Sequence, residues 1–248
     1  MFKKISVLIS LVVMLSVNAM AVLLPLNNKS TKELSDAIPT YFVPQGYVFS
    51  IWSLIYLALI GYAVYQLLPR TKDNLKLHSM AWLFVLNALA NAGWIFLWHY
   101  EYVATSVLLM LVILGSLIGI YTLMGIGKEK VSKSEYWFTH FPFSLYLGWI
   151  SVATIANIAA ALHVHEWSGW GIAPQTWSVI MLVVATALTL TMLLRHRDYV
   201  FAGVIIWAVI GIGRNFSDET AILWTSLASI VIIVIAIVLR LIKDLRKK

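Results

Sequence analysis

Long stretches of this chain carry no charge at all, and its charges crowd into short segments between them. An uncharged apolar run of about 20 residues matches the thickness of a bilayer's hydrocarbon core. Inside lipid only helices and closed barrels satisfy their own backbone polar groups. Barrel strands would alternate apolar and polar residues, and these runs do not. The sequence therefore predicts an all-α membrane protein, a polytopic bundle of about eight helices. The expected spans are 5–26, 47–68, 79–99, 102–126, 136–163, 175–194, 199–213 and 220–239. The seventh is the shortest.

Basic residues fix the expected orientation. One set of connectors and tails holds Lys3, Lys4, Arg70, Lys72, Lys76, Lys128, Lys130, Lys133, Arg195, Arg197, Arg240, Lys243, Arg246, Lys247 and Lys248. The other set holds only Lys29, Lys32 and Arg214. The positive-inside tendency places the first set, with both termini, in the cytoplasm. Removing span seven would send the basic tail outside, so the asymmetry supports that short span. The net charge of +7 follows topology and does not call for a nucleic-acid partner. The absence of cysteine excludes disulfides, thiolate metal sites and cysteine nucleophiles. Lys3-Lys4, the apolar run and Ala19-Met20-Ala21 also fit a secretory leader. Cleavage there would leave seven helices.

Two expected outer connectors are long. Residues 27–46 begin polar and turn aromatic and Pro/Gly-rich through Pro39, Tyr41, Phe42, Pro44 and Gly46. Residues 164–174 combine Trp167 and Trp170 with Gly169 and Gly171. The second connector divides a five-helix unit, residues 1–165, from a three-helix extension, residues 166–248.

Polar and aromatic groups recur inside the spans. Asn87, Asn91, Trp94 and Trp98 lie at offsets that share one helical face. Phe49, Trp52 and Tyr56 share a face of span two, and Trp149, Ala153, Ala156, Asn157 and Ala160 one of span five. The plain reading of the asparagines is hydrogen bonding across helix contacts, and small residues equally allow close helix approach. The functional reading is a ligand cavity. At about 1.5 Å rise per residue, Trp52, Trp94 and Asn157 lie roughly 8–10 Å outward of their span centres, with Trp149 near the midplane. An interfacial aromatic belt accounts for Trp98, Tyr100, Tyr102, Trp167 and Trp170, but not for Trp149. The expected ligand-binding set is Phe49, Trp52, Tyr56, Asn87, Asn91, Trp94, Trp149, Ala153 and Asn157, under a lid formed by 27–46. His99, Glu101, His163, His165 and Glu166 form only a weak metal pattern. His140 reads as a satisfied packing residue, and Arg214 as the partner of Asp218 or Glu219. No nucleophile–base pair or phosphate loop occurs, and the spans lack the ionisable groups of a pump. No catalytic residue, metal site or required cofactor is expected.

Three motifs resemble the tryptophan-rich sensory protein / translocator protein (TspO/MBR) family. They are Pro44-Gln45-Gly46-Tyr47-Val48-Phe49-Ser50-Ile51-Trp52, then Leu86-Asn87, then the fifth-span Tyr146-Leu147-Gly148-Trp149 with Ala153-Thr154 and Asn157. The resemblance covers residues 1 to about 165. It implies a five-helix bundle with a lidded pocket for porphyrins, sterols or synthetic aromatic compounds. Trp52 and Trp149 match tryptophans that the family implicates in light-dependent porphyrin breakdown. The sequence departs from the pattern in having Gln45 for a second proline, Tyr47 for tryptophan, one residue fewer between Phe49 and Trp52, and Pro142 displaced. The basic residue of a proposed sterol motif is absent around Ala159 to Leu162. The three further helices have no counterpart in the ordinary family and mark a long bacterial variant. Their few polar groups read as a structural or partner-docking module.

The expectation is thus a binding or sensory protein of the bacterial inner membrane, in contact with lipid and a small apolar aromatic ligand such as porphyrin or haem. A homodimer is compatible with it. The competing classes are a permease for small hydrophobic compounds and a porphyrin-degrading enzyme.

Topology has a direct test. Single cysteines replacing Lys72, Lys130 or Arg197 should be shielded from an impermeant thiol reagent in intact cells, while those at Asp36 and Glu166 should react. Labelling at Lys72 or Lys130 would overturn the orientation.

Overall fold

The computed structural model describes residues 1–24, 26–29 and 31–246. Lys247 and Lys248, counted above among the basic residues, lie outside the described residues, as does the side chain of Lys32. Among the described residues there are eight long helices and no strand. They are α1 (Phe2–Leu23), α2 (Gly46–Tyr65), α3 (Leu75–His99), α4 (Val103–Leu123), α5 (Lys133–Val164), α6 (Pro174–His196), α7 (Tyr199–Asn215) and α8 (Thr220–Leu245). Seven are long and apolar enough to cross a bilayer, and α7 is a shorter apolar helix of 17 residues. At about 1.5 Å per residue, α7 spans roughly 25 Å. Its burial explains why so short a helix belongs to the bundle: Phe201, Ala202, Ile205, Ala208, Val209 and Ile212 are all core residues.

Local signals set the helix ends. Asn74 caps α3 by accepting from the amides of Lys76 and Leu77, and Ser132 caps α5 by accepting from Glu135. Such caps satisfy amides that a helix start leaves without partners. Helix α6 starts with Pro174 in its first turn and stops at Arg197, which takes a left-handed conformation. The turn from α6 into α7 is thereby only Arg197-Asp198. Pro142 has no amide to give Phe138, and the first turns of α5 widen into a π-turn over Tyr136–His140, with Phe141 N donating to Tyr136 O.

Helices α1 to α5 close into a ring in the order α1, α2, α5, α4, α3. Helix α7 packs on α5 and on the first turn of α2, while α6 and α8 pack on α7 and on each other. Long apolar side chains such as Leu57, Leu108, Trp224 and Leu239 point outward, as they do when lipid is the solvent. The start of α1 and the end of α8 lie on one face. Lys3 and Lys4 hydrogen-bond to His78 O and Thr71, Lys76 pairs with Glu129, and Tyr199 donates to Asp244. This basic face gathers the cationic connectors. The opposite face carries the 27–45 segment.

Helix α1 is a packed member of the ring: Val7, Leu11 and Met14 are buried, and Asn18 joins a chain of side-chain hydrogen bonds. Tyr56 donates to Asn18 (2.7 Å), Asn18 to Asn91 (2.7 Å), and Asn91 to the Tyr146 hydroxyl (2.9 Å). A leader cleaved after Ala21 would take Asn18 with it.

One carboxylate ties the ring to the extension. Asp198 caps α7 through Phe201 N (2.9 Å) and accepts from Tyr121 on α4 (2.8 Å) and Ser144 on α5 (2.7 Å). Hydrogen bonds to an ionised acceptor contribute about 1.5–3 kcal/mol each. Asp198→Ala should therefore destabilise the purified protein by roughly 2–4 kcal/mol, allowing for the lost cap as well, and lower its Tm by several degrees. Ser144→Ala in that background should add little. An unchanged Tm for Asp198→Ala would show that the tie carries no weight.

Candidate functional site

Three helices and the lid enclose a small cavity on the side opposite the basic face. Its volume is about 50 Å³, and its wall includes Phe49 from α2, Trp94 and Trp98 from α3, and Trp149, Ala153, Ala156, Asn157 and Ala160 from α5. Thr31, Ser35, Ile38, Thr40, Val43 and Pro44 close it from the lid. The rings brace one another. Phe49 meets Trp149 edge-on at 5.7 Å between centroids, and Trp94 stacks on Trp98 at 5.5 Å. Behind the wall, Trp52 meets Trp149 edge-on at 6.2 Å and stacks on Tyr56.

The predicted residues divide accordingly. Phe49, Trp94, Trp149, Ala153 and Asn157 come together on the wall. Trp52 and Tyr56 support it from behind. Asn87 and Asn91 lie off it: Asn87 donates to Ile113 O and Ser116 on α4 (3.1 and 2.9 Å), and Asn91 belongs to the chain through Asn18. The shared arc of α3 is wide enough for its edges to meet different neighbours. Trp98, expected in the interfacial belt, is instead buried on the cavity wall, whereas Tyr100, Tyr102 and Trp170 are exposed as a belt requires.

Most polar atoms of the wall have partners within the protein. Trp94 Nε1 donates to Asn157 Oδ1 (3.0 Å), and Asn157 Nδ2 donates to Ser106 Oγ (2.9 Å). Three do not. Among the described residues, Trp98 Nε1, Trp149 Nε1 and Thr40 Oγ1 are buried with no hydrogen-bond partner, and all three residues line the same cavity. A buried donor left unpaired costs about 1–3 kcal/mol, so the grouping of three in one space is a chemical feature of the site. The sequence offered no cue for Thr40, which reaches the cavity only through the lid's path.

The lid consists of a short helix, Thr31–Asp36, and an irregular run into α2. His99 holds its first half: the ring lies 3.1 Å from Leu26 O and 2.9 Å from Thr31 Oγ1, and the backbone oxygen accepts from Asn27. Glu101 pairs with Lys29. These bonds occupy both ring nitrogens of His99, and no group of three metal-ligating side chains occurs among the described residues. The extension holds the second half of the lid. Ser178 donates to Tyr41 O (2.6 Å), Asn215 to Val43 O (3.0 Å), and Gln45 N to Gly211 O (3.2 Å). Gly211 is needed there, because a Cβ would stand 2.3 Å from Val48 Cγ2. The extension was expected to stand apart from the site. It contributes nothing to the cavity wall, but it latches the lid. Arg214, expected to pair with Asp218 or Glu219, has no ion pair among the described residues. Its carbonyl accepts from Gln45. A second apolar space of about 300 Å³ lies between α5 and α6 on this face and touches lid residues Pro39 to Phe42.

The fold and site define a polytopic helical membrane protein with a lidded apolar cavity on one side. A family model described as TSPO-like protein matches residues 4–239, and the chain belongs to that family. The match runs through all eight helices, whereas the motif resemblance ends near residue 165. No curated protein and no solved structure matches the chain.

The latch predicts how the cavity opens. A cysteine replacing Ala153 should react slowly with a small thiol reagent while the lid is held. Combining Ser178→Ala with Asn215→Ala should raise that rate several-fold. Equal rates would mean that the latch does not control access.

Proposed function

We propose that this protein is a membrane binding or sensory protein whose lidded cavity takes a planar apolar ligand bearing hydrogen-bond acceptors, such as a porphyrin. The observation that carries the reading is the set of three buried donors without partners, on Trp98, Trp149 and Thr40, in one aromatic-walled space. A ligand that accepts from them removes their desolvation cost, and the rings supply stacking surface. In the closed state about 50 Å³ accommodates a few waters, each needing ~10–15 Å³ on this measure. Pockets for drug-sized ligands measure about 300–1,000 Å³. A macrocycle therefore enters only when the 31–45 segment lifts. With the basic face cytoplasmic, the lid opens to the outside.

The test is titration of the purified protein with protoporphyrin, read by the shift of the porphyrin absorption band so that losing a tryptophan does not alter the reporter. Affinity on the order of micromolar, about −8 kcal/mol, is expected. Trp149→Ala should weaken binding at least several-fold, since ring packing contributes about 0.5–1.5 kcal/mol beyond buried area. Trp149→Phe, which keeps one aromatic ring but removes the Nε1 donor and part of the indole's packing area, should cost about tenfold. Trp170→Phe, in the exposed belt, should change nothing. Equal losses at Trp149 and Trp170 would sink the proposal.

The apolar space between α5 and α6 supports a second reading, a permease for small hydrophobic compounds entering from lipid. Flux of such a compound across liposomes would mark it.

A further inference from the structure

The basic face holds a further cavity, whose lining shares no residue with the lidded one. It is open, about 850 Å³, and lies between the α4–α5 connector, the first turns of α5, the end of α6 and α8. Its wall carries Lys128, Lys130, Lys133, Arg195 and Arg240, with His140.

The cations here outnumber the nearby carboxylates. Among the described residues Glu129, on the same wall, pairs with Lys76, Asp244 lies 3.6 Å from Arg197 and 3.9 Å from Arg240, and Glu135 beside His140 makes no ion pair. No carboxylate pairs with Lys128, Lys130, Lys133 or Arg195. Lone cations on a connector are ordinary, because they follow topology. A concave wall of them is not, since a low-dielectric recess focuses their potential.

Two buried atoms make the recess more than a patch. His140 is 3% exposed, and its Nε2 has no hydrogen-bond partner among the described residues. It was expected to be satisfied by packing. The π-turn forced near Pro142 places it on this wall. Arg240 Nε is likewise buried without a hydrogen bond. The wall is also fixed in place. Gly127 adopts φ +78°, and a Cβ there would stand 1.9 Å from His196 O, so the connector is pressed against the end of α6.

We infer that this cavity is a binding site for a phosphate group, taken from the headgroup of an anionic phospholipid. Phosphate supplies the acceptor oxygens that guanidinium and ammonium groups bind with charge-assisted hydrogen bonds. Lipid is favoured over soluble phosphate by the rim. Tyr136 and Trp137 line the same cavity and are exposed, and such rings sit at headgroup depth. Basic recesses between membrane helices suit such headgroups.

The experiment uses the full chain in neutral detergent at moderate salt. Tm and equilibrium binding are measured with phosphatidylglycerol, with phosphatidylcholine, and with inorganic pyrophosphate. Phosphatidylglycerol should raise Tm by several degrees and phosphatidylcholine should not. Lys130→Gln combined with Arg195→Gln should weaken phosphatidylglycerol binding about tenfold. Both side chains are exposed, and Lys128→Gln on the same connector serves should that pair fold poorly. Arg70→Gln with Lys72→Gln, basic but outside the recess, should leave binding unchanged. Binding of pyrophosphate alone, lost in the same variant, would uphold the phosphate site and assign it a soluble ligand. Equal stabilisation by both lipids, equal losses in the recess and control variants, or no response to any probe would each overturn the proposal.

Discussion

Hydrocarbon offers no hydrogen bonds, so each polar group that this chain carries into the bilayer must find a partner within the chain. Much of the bundle's internal arrangement follows from that. Asn18, Asn91, Tyr56 and Tyr146 satisfy one another in a chain that joins α1, α2, α3 and α5. Asn87 fastens α3 to α4. The same rule makes its exceptions informative. Among the described residues seven buried side-chain atoms lack a partner. Three of them line the lidded cavity and two the basic recess. Only Tyr62 and Ser226 lie elsewhere. Five of the seven thus gather at two of the cavities.

Helix α7 connects those two places mechanically. At the basic face Asp198 fastens its first turn to α4 and α5. At the other end Gly211 and Asn215 fasten it to the lid. Between them the helix buries a broad face, from Phe201 to Ile212, and leaves Gly203 and Trp207 exposed. Helix α7 has only 17 residues, against 23 in α6 and 26 in α8. The last three helices are thus not an appendage to a finished five-helix unit. Their polar groups are few, but Ser178 and Asn215 are spent on the lid.

Features that depend on one helix alone were legible in the sequence. Hydropathy placed all eight helices, most ends to within four residues and the end of α8 six residues short, and the basic asymmetry supported the short α7. Features that depend on which helix faces which were not. Trp98 lies one residue from the end of α3, where a belt position and a cavity position look identical until the lid is folded over it. Asp198 reads as a connector residue, and only the two-residue turn into α7 carries it against Tyr121 and Ser144. Arg214 has acids close in sequence, yet the chain's path turns its neighbour Asn215 toward the lid. His140 reads as satisfied because buried histidines usually are, and the π-turn near Pro142 that leaves it on the recess wall is shown by no periodicity.

The small residues of α5 illustrate the difference most clearly. A stripe of Ala153, Ala156 and Ala160 allows either a close helix contact or an empty space, and sequence does not choose between them. The close contact is made on another face, where Gly148 lets Val204 of α7 approach to 3.0 Å of a hypothetical Cβ. On the alanine face the opposing surfaces are propped apart. Trp94 and Trp98 are stacked on one side, and Phe49 braces Trp149 on the other. Rings that rest on each other cannot collapse into the gap left by missing side chains. The cavity therefore comes from a mismatch in side-chain size that the surrounding aromatic contacts maintain, and its unpaired indole donors sit on two of the rings that keep it open.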